Sequence, residues 1–197
     1  MLGLKLPTDP RWANLAEHSL EEVLTDHAYC EQKAALSCIS LIARYPERER
    51  LVDELAPIVT EEWGHFRMVL KALKDRGLKL GHKRKDEYVN ELIKIERKSD
   101  NQNERLLEEL LRFALIEARS CERFRVLSTE LESEELRKFY HTFMVAEAGH
   151  YRLFLDLARE YAPEEQVKAL AATYEIADPD AEGGVRPGVA ADRWPAP

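Results

Sequence analysis

Glu62-Trp63-Gly64-His65-Phe66-Arg67-Met68-Val69-Leu70 returns later in the chain as Glu147-Ala148-Gly149-His150-Tyr151-Arg152-Leu153-Phe154-Leu155. Glu, Gly, His, Arg and Leu coincide, and an aromatic residue follows each His. On a helix, residues i and i+3 share a face, with Cβ atoms about 5–6 Å apart. A Glu-x-x-His pair therefore offers a carboxylate and an imidazole to one cation. Glycine inside a helix costs up to about 1 kcal/mol relative to alanine. Its use at the same offset in both copies points to close packing beside a site, or to a tight helix contact.

The flanking sequence is helical. Glycine is scarce, and Leu, Glu, Ala, Arg and Lys abound. A first long helix is expected from Ser19, with Glu22 completing a capping box. Its stripe runs Leu20, Val23, Leu24, Ala28, Ala34, Ala35, Cys38, Leu41 and Ile42, and it stops before Pro46. A second is expected from about Glu47 to Arg76, ending at Gly77, with Pro57 kinking it or loosening a turn. Residues 78–100 form a long connection with a shorter helix near Asp86 to Arg97. A third long helix spans roughly Gln102 to Leu131 and a fourth about Glu134 to Tyr161; a short fifth follows Pro163.

One Glu-x-x-His pair lies on the second helix and one on the fourth. The first helix places Glu31 in its apolar stripe, and the third places Glu117 in its own. A charged residue is rarely buried without a partner. Glu31 precedes Glu62 by 31 residues, and Glu117 precedes Glu147 by 30. Glu122 competes for the third-helix position, but its face includes Arg119 and Arg125, which reads as solvated. Four carboxylates and two histidines from four helices, Glu31, Glu62, His65, Glu117, Glu147 and His150, match the pattern of ferritin-like di-iron and di-manganese bundles. The fold class is accordingly all-α, a ferritin-like four-helix bundle with one long crossover and a short fifth helix. Residues 1–176 make the bundle; residues 177–197, rich in Pro, Gly and Ala, make a tail. Oxygen and imidazole ligands suit iron, manganese or zinc alike. His27, one turn before Glu31, is either a hydrogen-bond partner of that ligand or a core histidine.

No run of apolar residues is long enough to span a membrane, and the N-terminus does not read as a secretory signal. Cys30, Cys38 and Cys121 fit buried free thiols in a reducing cytoplasm. The formal net charge is −8, which taken alone argues against nucleic-acid binding. Two ferrous ions would offset half of it. The charge is also uneven: Lys74, Arg76, Lys79, Lys83, Arg84 and Lys85 stand against the single acid Asp75. That run is either a plain solvated loop or a basic patch.

With the six ligands in place, the chain resembles the tRNA 2-methylthio-isopentenyl-adenosine hydroxylase family, MiaE. The resemblance covers about residues 5 to 175 and is carried by four strings. They are Asp26-His27-Ala28-Tyr29-Cys30-Glu31-Gln32-Lys33-Ala34-Ala35, Glu61-Glu62-Trp63-Gly64-His65-Phe66, Ile116-Glu117-Ala118-Arg119-Ser120-Cys121-Glu122-Arg123-Phe124 and Ala146-Glu147-Ala148-Gly149-His150-Tyr151. It implies a non-haem di-iron monooxygenase with two iron ions, using dioxygen and an external electron donor. Its substrate would be the isopentenyl group of a modified adenosine beside the anticodon in tRNA. Glu62 or Glu147 would bridge the ions. Lys79, Lys83, Arg84 and Lys85 are the phosphate candidates. Competing readings are another ferritin-like di-iron protein, such as a rubrerythrin-like peroxidase or a fatty-chain oxygenase, and a ferroxidase or iron-binding protein without an organic substrate.

Overall fold

A computed structural model describes residues 4, 8–9, 11–83 and 87–176. Among them are seven α-helices: α1 (Arg11–His18), α2 (Leu20–Arg44), α3 (Glu49–Asp75), α4 (Glu87–Ile95), α5 (Gln102–Glu130), α6 (Glu134–Tyr161) and α7 (Glu164–Ile176). The long helices lie within a few residues of the expected bounds; α1 was not anticipated. The expected tail, residues 177–197, lies outside the described residues. The chain divides into two compact units, Ala16–Lys85 and the segments on either side of it.

The first unit is the α2–α3 hairpin. Leu24, Ala28, Ala35, Cys38 and Leu41 of α2 are buried, as are Leu51, Leu55, Ile58, Phe66, Val69 and Leu73 of α3. Each fully buried Leu or Phe contributes about 1.5–3 kcal/mol relative to exposure. Pro57 lies exposed, and α3 runs on through it as one helix. Gly77, at φ +70°, ends α3: its N–H donates to the Lys74 carbonyl at 3.0 Å, and the Leu78 N–H reaches the Leu73 carbonyl at 2.9 Å. Those are the paired bonds of a left-handed helix cap, which glycine adopts without a Cβ penalty.

The capping box expected at Ser19 does not form. Ser19 has φ −134° and ψ 37°, and its side chain caps nothing. Only Ser19 separates α1 from α2, so the backbone turns too sharply for the extended conformation an N-cap side chain needs. Asn101 and Ser133 do have that extended geometry. The Asn101 side chain accepts from the Asn103 N–H at 2.9 Å, and the Ser133 hydroxyl accepts from the Leu136 N–H at 3.3 Å.

The second unit is built on α5 and α6, with α7 packed against both and α4 against α5. Helix α5 is buried nearly all round between Leu106 and Leu127, the signature of a central helix. One face carries Leu110, Phe113, Ala114, Cys121, Phe124 and Leu127. Another carries Glu108, Leu115, Arg119 and Glu122, all buried. Charged residues there are held by partners from neighbouring segments. Tyr174 of α7 donates its hydroxyl to Glu108 at 2.6 Å, and Arg97 Nε donates to the other oxygen at 2.6 Å. The Thr8 amide and hydroxyl donate to Glu122 at 2.9 and 2.7 Å. No helix among the described residues is long and apolar enough to cross a membrane.

Candidate metal centre

In the α2–α3 hairpin, Glu31, Glu62 and His65 are 3%, 1% and 6% exposed. Each turns one ligand atom to within 4.8 Å of the others. His65 Nδ1 is 3.5 Å from Glu31 Oε2 and 3.5 Å from Glu62 Oε2. Its Nε2 faces Glu61 Oε1 at 3.9 Å, one turn back on α3. Glu31 Oε1 is 2.6 Å from Nε2 of buried His27. His27 is thus a partner of the candidate ligand.

In the second unit, Glu117 of α5 and Glu147 and His150 of α6 are 6%, 3% and 3% exposed. Their ligand atoms also lie within 4.8 Å of one another. The sequence repeat therefore produces two similar clusters, each of two carboxylates and one imidazole. In both, the glutamate supplied by the first helix of its hairpin meets the Glu-x-x-His pair of the second.

Buried carboxylates demand a compensating charge. In the first cluster a proton supplies it. Burial opposes an imidazolium at His65, but the Glu31 and Glu62 carboxylates at Nδ1 outweigh burial and push its pKa up to about 10. Burial likewise works against a charged Glu31, and His27 and His65 outweigh it, holding that carboxyl well below the usual range. A divalent cation would satisfy the same two carboxylates and take the place of the proton. The donor set of each cluster, oxygen and imidazole in a buried setting, fits iron, manganese or zinc.

Two sequence readings need correction. Glu122 is 7% exposed rather than solvated. It accepts from Thr8 and, at 3.0 Å, from Arg119 Nη1; Arg119 sits one helical turn away and buries with it. The glycines are not forced by close approach either. A Cβ built at Gly64 or Gly149 meets nothing within 4 Å.

Sequence reasoning also missed Glu108 and Arg119. Their spacing with Leu115 and Glu122 was the available signal, since intervals of seven, four and three residues repeat one helix face. Tyr29, half-buried, donates to the Gly81 carbonyl at 3.0 Å and ties the connection after α3 back to α2. Tyr140 is buried and packs on Phe124, ring centroids 5.7 Å apart. The thiols are free, Cys38 and Cys121 buried and Cys30 half-buried. Of the phosphate candidates, Lys79 and Lys83 are exposed, and Arg84 and Lys85 lie outside the described residues.

The chain is similar to known proteins. Residues 2–182 match the family model described as tRNA-(MS[2]IO[6]A)-hydroxylase (MiaE). A Pseudomonas putida protein named tRNA 2-(methylsulfanyl)-N(6)-isopentenyladenosine(37) hydroxylase is 37% identical over 164 residues, covering 83% of this chain and 78% of that protein. A Salmonella typhimurium protein of the same name is 26% identical, covering 82% and 77%. Among solved structures, a Synechococcus protein with aldehyde deformylating oxygenase activity superimposes with a TM-score of 0.86. It is 33% identical, over 92% of this chain and 90% of that one. The fold is all-α and ferritin-like, as the helix order anticipated, and the chain belongs to the tRNA-(MS[2]IO[6]A)-hydroxylase (MiaE) family.

Proposed function

We propose that this protein is an oxygen-dependent hydroxylase of the isopentenyl group of 2-methylthio-isopentenyl-adenosine, next to the anticodon in tRNA. The family match along nearly the whole chain carries the reading. The burial of all six expected ligands supports it.

Glu31, Glu62 and His65 would hold one iron ion, and Glu117, Glu147 and His150 the other. When bound, the iron pair supplies the activation of dioxygen with two electrons from an external donor, chemistry that no side chain provides. The protein's own residues do the rest. His65 gives up its proton to become a neutral ligand. Phe113 and Phe154, buried with ring centroids 5.5 Å apart and one helical turn from Glu117 and His150 along the chain, would keep that end of the cluster apolar. Lys79 and Lys83 are the described residues available for tRNA phosphates, with Arg84 and Lys85 beside them in sequence. The modified base would leave its stack to be reached. A cytoplasmic location follows from such a substrate.

The test is direct. Iron-loaded protein is incubated with a reductant, oxygen and tRNA bearing the isopentenylated nucleoside, and the digested nucleosides are weighed by mass spectrometry. The product gains one oxygen atom on the isopentenyl side chain. Unchanged nucleoside from a preparation with full iron would end this reading. The Synechococcus neighbour favours a second one, an aldehyde deformylating oxygenase. A long-chain aldehyde in a parallel reaction separates the two.

A further inference from the structure

The two clusters repeat each other in their ligands but not in what stands behind them. Glu31 aligns with Glu117, so the residue one turn earlier is His27 in the first cluster and Phe113 in the second. His65 aligns with His150, so the residue one turn later is Val69 in the first and Phe154 in the second. Glu61, which faces His65 Nε2 at 3.9 Å, aligns with Ala146. The hairpin of α2 and α3 thus backs its ligands with a polar pair. The corresponding positions in the hairpin of α5 and α6 hold two rings packed on each other, Phe113 and Phe154.

His27 is buried, its side chain 3% exposed, and its Nε2 is 2.6 Å from Glu31 Oε1. Oε1 is the acceptor in that contact. The other oxygen, Oε2, is the one 3.5 Å from His65 Nδ1. A carboxylate with one oxygen anchored keeps the other in a fixed direction. Phe113 has no polar hydrogen with which to do this for Glu117.

Resting on the metal-centre reading above, we propose that His27 is a positioning residue. It anchors Glu31 through Oε1, presents Oε2 to the metal, and so makes the two metal positions unequal. The ion held by Glu31, Glu62 and His65 binds a preformed site. Groups that orient a ligand typically govern affinity by about ten- to a hundredfold.

Cobalt(II) is the probe, titrated into metal-free full-length protein and followed by its visible absorption. Wild type takes up two ions in two resolvable phases. His27→Phe, which copies the residue of the other repeat, weakens one phase by about ten- to a hundredfold and leaves the other where it was. His27→Gln keeps an N–H donor and recovers most of the lost affinity. Rescue by a donor of different shape is a result that packing alone would not give. Circular dichroism checks that each variant is folded; should His27→Phe not fold, His27→Leu against His27→Gln makes the same comparison. Two phases unchanged in a folded His27→Phe variant would overturn the proposal, as would equal weakening of both. Wild type that takes up no cobalt would instead overturn the metal centre itself.

Discussion

Replacing Gly64 with alanine, or Gly149 in a separate variant, is expected to stabilise the protein. Both glycines sit well inside long helices, α3 and α6. Neither has positive φ; among the described glycines only Gly77 does. A Cβ at either position meets nothing within 4 Å. With no strain and no clash, what remains is helix propensity, which favours alanine over glycine by about 0.5–1 kcal/mol. For a chain of this length each kcal/mol shifts the melting midpoint by about 2–4 °C. Each substitution should therefore raise it by about 1–4 °C. Thermal unfolding of the metal-free protein followed by circular dichroism measures this, with denaturant titration as the second reading. Metal content after reconstitution should not change, since Glu62, His65, Glu147 and His150 keep their backbone. A lower midpoint for either variant would refute the reasoning. It would mean that the space beside that glycine is filled in the folded protein in solution.

Glu117→Ala removes one of three buried candidate ligands from its cluster, so reconstituted iron should fall from two ions toward one per chain; full iron content by elemental analysis would show that a different glutamate serves. Metal affinity should rise with pH, because the proton on His65, whose pKa is pushed up to about 10, must leave; between about pH 7 and 9 the apparent affinity of that site gains about tenfold per unit for the one proton displaced, and a flat profile by competition with a chelator would show that His65 is already neutral. Metal-free protein should be most stable between the carboxylate range and pH 6.5: the raised His65 pKa gives stability that is full below its unfolded value of 6.5 and fades toward 10, and the lowered Glu31 pKa gives stability that is lost on acidification below about 4.5. Tyr174→Phe deletes the hydroxyl that donates to buried Glu108 at 2.6 Å, which should cost about 1.5–3 kcal/mol by denaturant unfolding; a loss below half a kcal/mol, within the ordinary scatter of neutral substitutions, would mean the bond adds nothing.

The candidate ligands were legible because they violate a strong rule. Carboxylates in an apolar stripe demand an explanation, and a repeated Glu-x-x-His supplied one. The four long helices were legible for the same kind of reason, since their stripes have helical period and Pro46 and Gly77 punctuate them. Glu108, Arg119 and Glu122 were hidden by the converse error. Glu122 reads as solvated because Arg119 and Arg125 share its face, but Arg119 is buried with it, and α5 is covered on more than one side: Tyr174 and Arg97 meet Glu108, and Thr8 meets Glu122. Nothing local to α5 announces those partners. The glycines misled because a costly residue was assumed to be demanded by a neighbour, whereas tertiary space is not written in a helix's own sequence.

The first cluster's electrostatics explain how its buried carboxylates persist in the metal-free protein. Two carboxylates within reach of each other, at 3% and 1% exposure, would repel strongly in a medium that screens poorly. His65 answers by holding a proton far above its ordinary range, and His27 answers by engaging the second oxygen of Glu31. The metal-free protein thus holds a positive charge beside the two carboxylates, on the residue that the proposed centre would use as a ligand. In the proposed centre, loading would exchange that proton for a divalent ion, adding one unit of positive charge beside carboxylates that are already buried. The same substitution that leaves His65 without its carboxylates, Glu62→Gln combined with Glu31→Gln, should return its titration toward 6.5. Proton NMR of the imidazole would follow it, and a pKa still near 10 would show that something other than these carboxylates charges the site.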